Sequence, residues 1–377
     1  MRVLHINANY LYTNLHQCMS RTLTERGVDN QVFVPICSGD SLVVTPDENV
    51  VVCECLRKLD RVWFYGKQRK IRKALEAEIA VGQFDILHAY TLFTDGNCAY
   101  ELSKKYGVPY VVAVRDTDVN VFFRYAPYLR KRGIEILKNA AAVFFLSSTY
   151  KEYVLNKYVP EKFIDCIAEK SYIIPNGIDD FWLDNLYSER DCGRIQKQLE
   201  EKLINIIAVG TINKRKNPLT TLNAIDLLED RGYKVKFTVA GAIADTKIGA
   251  ELLSDKRVFY AGKLTKIDLI EQYRNNDIFV MPSHTETFGL VYAEAMSQSL
   301  PVIYTKGQGF DGQFPEGLVG YHVDDRNAEA VADGILKIIR EYGEISTRCI
   351  DNVEKFRWMS ICEKYQSIYR NICGSTQ

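Results

Sequence analysis

The 377-residue chain lacks net charge, with 48 basic and 48 acidic residues, and without a basic excess it does not read as a general nucleic-acid binder. No apolar run approaches the length of about 18 residues that spans a bilayer. The start, MRVLHINANYLY, lacks the h-region of a secretory signal, so a cytoplasmic protein is expected. Ten cysteines are scattered without a CxxC pair; only Cys53 and Cys55 sit close, flanking Glu54 as on an alternating strand. With five mostly isolated histidines, there is no zinc signature, and reduced thiols with no metal or other cofactor are expected. No GxGxxG follows the first apolar run, RVLHINA, which weakens a dinucleotide reading of that half.

What is present is alternation. RVLHINA, QVFVPI, DILHAY, PYVVAVR, AAVFFLS and SYIIPNG read as strands, with helices through HQCMSRTLTERG and GNCAYELSKKYG. Residues 176–200 turn polar and read as a linker. The pattern restarts with INIIAVG, a helix from Pro218 to Arg231, and the runs KVKFTVAG, VFYAG, DIFVMPS and PVIYT. Such alternation predicts parallel sheets with helical crossovers, and the length exceeds one ordinary core, so two α/β domains are expected. Ligands of open parallel sheets bind beyond the carboxyl ends of the strands, which makes a cleft between the halves the expected site.

Two strand ends carry chemistry. After INIIAVG comes TINKRKNPLTTL, with Lys214, Arg215 and Lys216 ahead of Asn217-Pro218, a cap-and-proline helix start. A basic turn there is either solvated or a phosphate site, where arginine offers a fork and lysine a point charge. After DIFVMPS, Glu286 and Glu294 flank Phe288-Gly289 with no base between them. On one continuous helix, eight residues turn about 80° and rise about 12 Å, so the two acids could not act as a pair. If Gly289 ends a loop and a helix runs from Leu290 to Ser297, the free amides at its start form an anion site. Acids beside such a site suit hydroxyls, because like charges repel and an ionised carboxylate only accepts. One acid for each of two sugar rings reads as a nucleotide sugar.

The element ETFGLVYAE and its continuation AMSQSLPVI resemble the E-x7-E signature of glycosyltransferase family 4. IPNGID (Ile174 to Asp179), VG…KRKN…L, VAG, YAGKL, DIFVMPS and FRWMSICEKYQSIY are similar to further stretches of that family, strongly in the C-terminal half and in outline before it. The resemblance implies the GT-B architecture, an α/β fold of two Rossmann-like doubly wound parallel-sheet domains facing across a cleft. Residues 1–178 would form the acceptor side and 179–355 the nucleotide-sugar domain, with 356–377 a helix crossing back to the first. It implies a retaining, metal-independent transfer from a nucleotide diphosphate sugar, UDP first, to a hydroxyl of a glycan or lipid-linked acceptor in cell-surface polysaccharide synthesis. Glu294 would then hold the ribose and Glu286 the transferred sugar. Amides around Phe288, Gly289 and Leu290 would hold the diphosphate and sugar, Arg215 and Lys216 would neutralise the leaving group, and Gly262, Lys263 and Leu264 would meet the base.

Departures from the family pattern matter. NANYLYTNLHQ lacks the Gly-Gly turn many members carry, so Asn9, Tyr10 and Asn14 either replace its contacts or belong to the acceptor site. Arg115 stands where many members have a histidine near the anomeric centre, and is either an ion-pair partner of Asp116 or Asp118 or a donor contact. The DTD of residues 116–118 imitates a metal motif of another glycosyltransferase architecture, in the wrong domain. Thr211 stands where arginine is common, with Arg215 nearby to supply that charge. His88 ends DILH as either a substrate contact or a buried, satisfied histidine, and His284 reads as support for Glu286.

Between Arg57 and Lys73 there are eight basic residues and one acid around Trp63-Phe64-Tyr65, and FFRYAPYLRKRG (Phe122 to Gly133) repeats the mixture. This is either a solvated helix or a surface that docks on an anionic membrane, which would make the protein peripheral on the inner face of the plasma membrane. Two other classes share this architecture. A nucleotide-sugar 2-epimerase would need acids placed for proton abstraction, which the E-x7-E spacing does not suggest. A non-catalytic nucleotide-sugar-binding protein would keep Glu294, and Arg115 in place of histidine favours it.

Overall fold

The computed structural model describes residues 1–40, 42–61 and 63–374, and the chain divides into two units: Met1–Gly177 with Trp358–Gln377, and Ile178–Arg357. Residues 375–377, the end of the expected last helix, lie outside the described residues.

Among the described residues, the sheet of the first unit has seven strands: β1 (Arg2–Ile6), β2 (Asp29–Cys37), β3 (Val50–Leu56), β4 (Ile86–Ala89), β5 (Tyr110–Val114), β6 (Ala142–Phe145) and β7 (Ser171–Ile173). They are all parallel, in the order β3-β2-β1-β4-β5-β6-β7. Helices α1 (Asn14–Glu25), α2 (Phe64–Glu78), α3 (Thr94–Tyr106), α4 (Arg130–Asn139), α5 (Ser148–Tyr158) and α6 (Ile164–Ala168) connect them. Every residue of β4, β5 and β6 is buried, as parallel strands covered on both faces require, and these segments read as near-continuous apolar runs, broken only by His88 in β4. Edge strand β3 is half-exposed and tolerates Glu54 between its two cysteines.

The second unit repeats the scheme with β8 (Leu203–Val209), β9 (Lys234–Ala240), β10 (Val258–Gly262), β11 (Ile278–Val280), β12 (Val302–Thr305) and β13 (Gly320–Val323). Their order is β10-β9-β8-β11-β12-β13, again parallel throughout. Its helices are α7 (Asp180–Asp184), α8 (Cys192–Glu200), α9 (Pro218–Asp230), α10 (Thr246–Leu253), α11 (Lys266–Arg274), α12 (Leu290–Ser297), α13 (Ala328–Arg340) and α14 (Tyr342–Val353). The polar stretch read as a linker is therefore largely α7 and α8. Trp182, Leu183, Ile195 and Leu199 are buried, and α8 packs on β8 and α14. Three or four apolar anchors suffice to dock a short helix whose other positions are polar, and such a helix looks like a linker by composition.

The last helix, α15 (Trp358–Gly374), belongs to the first unit. Trp358, Ile361, Cys362, Tyr365, Ile368 and Tyr369 fall on one face and join a core with Val3, Met19, Leu23, Ile86, Val111 and Phe144. Each large side chain buried this way contributes roughly 1.5–3 kcal/mol.

Candidate active site

In both sheets the strand order reverses beside the first strand, between β1 and β4 and between β8 and β11. The loops at such a switch point diverge and leave a crevice at the carboxyl ends. In the second unit those loops are 210–217 and 281–289, which hold the basic turn and the first acid.

Lys214–Lys216 is a single 3-10 turn whose cap is Asn213, its Oδ1 accepting from Lys216 N at 3.0 Å. Asn217 precedes Pro218 at the start of α9 but does not cap it. Its φ is +55°, and its amide donates to Pro282 O at 2.9 Å and Asp325 O at 2.6 Å, tying loops together instead. Further bonds cross between the loops: His284 N to Arg215 O at 2.8 Å, and Arg215 Nη1 to Thr285 O at 2.9 Å. His284 Nδ1 lies 2.5 Å from Asp325 Oδ2, so this histidine is a brace.

On this frame the acid and the bases meet. Lys216 Nζ donates to Glu286 Oε2 at 2.5 Å, and Arg215 Nη1 stands 3.5 Å from the same oxygen. Burial pushes the Lys216 ammonium below its ordinary range, and Glu286 pulls the other way. Gln308 Oε1 accepts from Glu286 N at 2.9 Å, and Gly309 N donates to Glu286 O at 3.1 Å. Sequence reasoning missed these two positioners. Gly309 could have been flagged by the cluster GQGFDG: a Cβ there would lie 1.8 Å from Thr287 O.

The helix after Glu286 starts where the sequence put it. Gly289 precedes Leu290 at φ +78° and, having no side chain, offers α12 no cap; of the first amides, Tyr292 N donates to Gly289 O at 3.0 Å. Amides without a side-chain cap at a helix start suit an anion. Phe288 is buried against Phe310 and Phe356, which fixes its backbone and removes its side chain from solvent. A Cβ at Gly289 would come within 2.4 Å of the Tyr292 ring and 3.1 Å of Glu286 Cγ. Gly289→Ala is therefore expected to cost at least about 1–2 kcal/mol from backbone conformation alone. Thermal unfolding and donor titration should both register it, and an unchanged melting point with unchanged affinity would overturn this placement.

Glu294 lies inside α12, half-buried, its carboxyl raised to about 7 chiefly by burial, with Lys266 and Lys216 opposing and Asp179 adding to the shift. Asp179 caps α7 through Phe181 N at 3.0 Å and is ion-paired with Lys266. Lys263 and Leu264 follow β10 in an open loop, Lys263 exposed.

At the switch point of the first unit, a cavity of about 240 Å³ lies beyond the strand ends, lined by Asn9, Asp40, Asp60, Lys67, Thr91 and Thr94 among others. Asn9 is thus at a site, while Asn14 opens α1 on the surface outside this cavity and Tyr10 is core. Asp40 went unread, and Asp60 and Lys67 were read only as part of the basic stretch, because the loop after β2, the turn after β3 and α2 meet only in the fold. Two buried acids stitch the loops beneath. Asp95 accepts from Thr91 Oγ1 at 2.9 Å and Ala8 N at 3.2 Å, and burial raises it to about 7. Asp118 accepts from Leu92, Phe93 and Arg115 amides at 2.9–3.1 Å, and burial raises it to about 6.

The structure bears on two alternatives left open by the sequence. Arg115 does not ion-pair with Asp116 or Asp118: its guanidinium donates to Asn176 Oδ1 at 2.9 Å and Tyr90 O at 3.4 Å, while Asp118 takes backbone amides. His88 is not a substrate contact. It is fully buried under the sheet, bonded through Nδ1 to Tyr369 Oη at 2.6 Å and stacked on Tyr90, and burial holds its pKa well below the usual value. Its position on β4 turns it toward α15, away from the strand ends.

In the 57–73 stretch, Val62 and the Arg61 side chain lie outside the described residues. Lys70 is paired with Asp60 at 2.6 Å and Arg72 stands 3.5 Å from Glu101. Trp63, Tyr125 and Tyr128 are exposed at 68, 70 and 67 %. No helix among the described residues is long and apolar enough to cross a membrane.

Comparison with known proteins agrees with this fold. The family model described as "Glycosyltransferase Family 4" matches residues 17–180, and that described as "Glycosyl transferases group 1" matches residues 191–356. A D-inositol 3-phosphate glycosyltransferase of Pseudarthrobacter chlorophenolicus is 24% identical over 338 residues, 84% of this chain and 78% of that protein. The capsular polysaccharide biosynthesis glycosyltransferase CapM of Staphylococcus aureus is 29% identical over 215 residues, 54% of each chain. Among solved structures, a sucrose-phosphate synthase from Thermosynechococcus elongatus superposes with a TM-score of 0.76 at 18% identity, covering 100% of both chains. Anabaena HepE in complex with UDP-glucose gives a TM-score of 0.67 at 15% identity, covering 98% of this chain and 100% of that one.

Proposed function

The chain belongs to glycosyltransferase family 4, with the GT-B fold, and from that premise we propose that this enzyme moves a sugar from a nucleotide diphosphate sugar, with UDP as the nucleotide, to a hydroxyl of a glycan or lipid-linked acceptor. The observation that carries the reading is the convergence of Lys216 and Arg215 on Glu286 beside the uncapped start of α12. Two cations and free helix amides at one point suit a departing diphosphate, and charge that is already in position needs no reorganisation as the bond breaks. Glu286, held by both cations in the unliganded protein, turns to the hydroxyls of the transferred sugar once phosphate takes its place. Glu294 accepts from the ribose, and the open Lys263-Leu264 loop meets the base.

In the transfer, the bond from the anomeric carbon to the diphosphate breaks and the acceptor oxygen forms the new bond on the same face. The acceptor proton leaves on the departing diphosphate. Arg115, anchored at Asn176 and Tyr90, supplies positive charge where many relatives carry a histidine. The cavity with Asp40, Asp60 and Lys67 suits a polyhydroxyl acceptor, since carboxylates accept and the ammonium donates. The exposed aromatics and basic surface of residues 57–73 suit docking on the inner face of the plasma membrane, and the likeness to a capsular enzyme supports cell-surface polysaccharide synthesis.

Proton NMR of the product formed from a UDP-sugar tests the proposal. The new linkage is expected to keep the donor's anomeric configuration. Inversion would overturn the retaining mechanism, and interconversion of nucleotide sugars without acceptor would point to an epimerase instead.

A further inference from the structure

The outer surface of the first unit carries a second recess, of about 190 Å³, remote in role from the transfer site. Tyr65, Arg69 and Arg72 of α2 line it at spacings of four and three, which puts them on one stripe of the helix. Asn97, Cys98 and Glu101 of α3 and Arg132 of α4 complete the lining with Gln68, so three guanidiniums face one carboxylate.

Hydrogen bonding leaves this recess with donors to spare. Arg132 Nε, which can only donate, reaches Asn97 Oδ1 at 2.6 Å, so the Asn97 amide nitrogen must point the other way. It donates to Gln68 Oε1 at 3.1 Å, which turns the Gln68 nitrogen away from Asn97. Gln68 is 4 % exposed, and its Nε2 has no acceptor; neither has Arg72 Nε. Glu101 is already divided between Arg132 and Arg72. Arg69 has no carboxylate partner among the described residues. Unspent buried donors beside an unpaired guanidinium call for a ligand rich in acceptors and negative charge.

We propose that this recess is a phosphate site and that its occupant is the headgroup phosphate of an anionic lipid. The proposal rests on the membrane-docking part of the reading above and names its contact. The rim decides for a lipid over free phosphate. Trp63 and Tyr65 stand at the start of α2, and the Phe64–Phe122 ring contact at 6.2 Å joins them to the stretch that presents Tyr125 and Tyr128. Tryptophan and tyrosine seat at the headgroup level of a bilayer, and a site for a free ion gains nothing from them.

The full chain is sedimented at physiological salt with vesicles of phosphatidylcholine alone or with added phosphatidylglycerol. Pelleting is expected only with the anionic lipid. Lys73→Gln removes an exposed charge of α2 outside the recess and should weaken it about fivefold, the value of one basic residue near a charged surface. Arg69→Gln should weaken it about ten- to a hundredfold, because a charged hydrogen-bonding fork is lost as well. Arg69→Lys, which keeps the charge and loses the fork, should stay well below wild type. All three should glycosylate a soluble acceptor normally. Equal losses in Arg69→Gln and Lys73→Gln would overturn the recess as a site while leaving diffuse docking intact. No pelleting of the wild type even at low salt would overturn both. Binding of glycerol phosphate, seen by phosphorus NMR, without vesicle pelleting would overturn the lipid as occupant.

Discussion

Lys216→Ala is expected to lower turnover at saturating donor by about thirtyfold to several thousandfold, from roughly 2–5 kcal/mol for removing one partner of a desolvated charge pair. The Lys216 side chain is 14% exposed and bonded to a Glu286 side chain that is 9% exposed, so the deletion also takes the nearer cation from a buried carboxylate, Arg215 standing 3.5 Å away. Arg215→Ala should cost less, because Arg215 is 46% exposed and solvent screens it. The loss should fall on kcat, since the leaving group gains its full charge only as the bond breaks. A Lys216→Ala/Glu286→Gln pair should cost less than the sum of its members, because neutralising Glu286 removes the stranded charge. Near-normal kcat in both single variants would remove these residues from the reaction.

Glu294→Gln should weaken nucleotide-sugar binding at pH 8 by about ten- to a hundred-and-fiftyfold, the roughly 1.5–3 kcal/mol of a hydrogen bond to a charged group. The effect should depend on pH in a defined sense. On the proposed reading the ribose hydroxyls donate to the ionised carboxylate, and burial raises that carboxyl to about 7. Wild-type affinity should therefore fall as pH drops through 7, while the variant stays flat and the two converge near pH 5. Calorimetry with UDP-glucose suits the measurement, since its diphosphate does not titrate there. Stability should move oppositely. A carboxyl raised from 4.5 to about 7 on folding contributes stability that is present below 4.5 and lost as pH rises through 7. Unliganded Glu294→Gln escapes that loss and should melt higher than wild type at pH 8, by up to about 3 kcal/mol in stability, and equally at pH 4. A pH-independent difference in affinity would show that Glu294 does not meet the ribose as a carboxylate.

Much of the architecture was written locally. Strands buried on both faces need largely apolar runs, so β1, β4, β5, β6 and β8 could be read before any contact was known, and β9 by its alternation into such a run. Gly289 followed by an apolar helical run marked the start of α12, and the E-x7-E spacing separated the two acids into two tasks. Edge positions were less legible. β13 is a four-residue strand, and α8 shows too few apolar positions to stand apart from a linker.

The sequence by itself determined the class of the protein, the alternation of its elements and the residue types at its strand ends. Periodicity and capping are properties of a few neighbouring residues, and they survive in one dimension. Tertiary structure decided which ends meet. Only the placement of β8 beside β11 brings Lys216 to Glu286, seventy residues on, and turns an unpaired acid and a basic turn into one site. Only the packing of α15 on the first sheet buries His88 against Tyr369, 281 positions away, and removes it from the chemistry. Strand order and helix docking are set by burial summed over distant segments, and no local pattern encodes that sum.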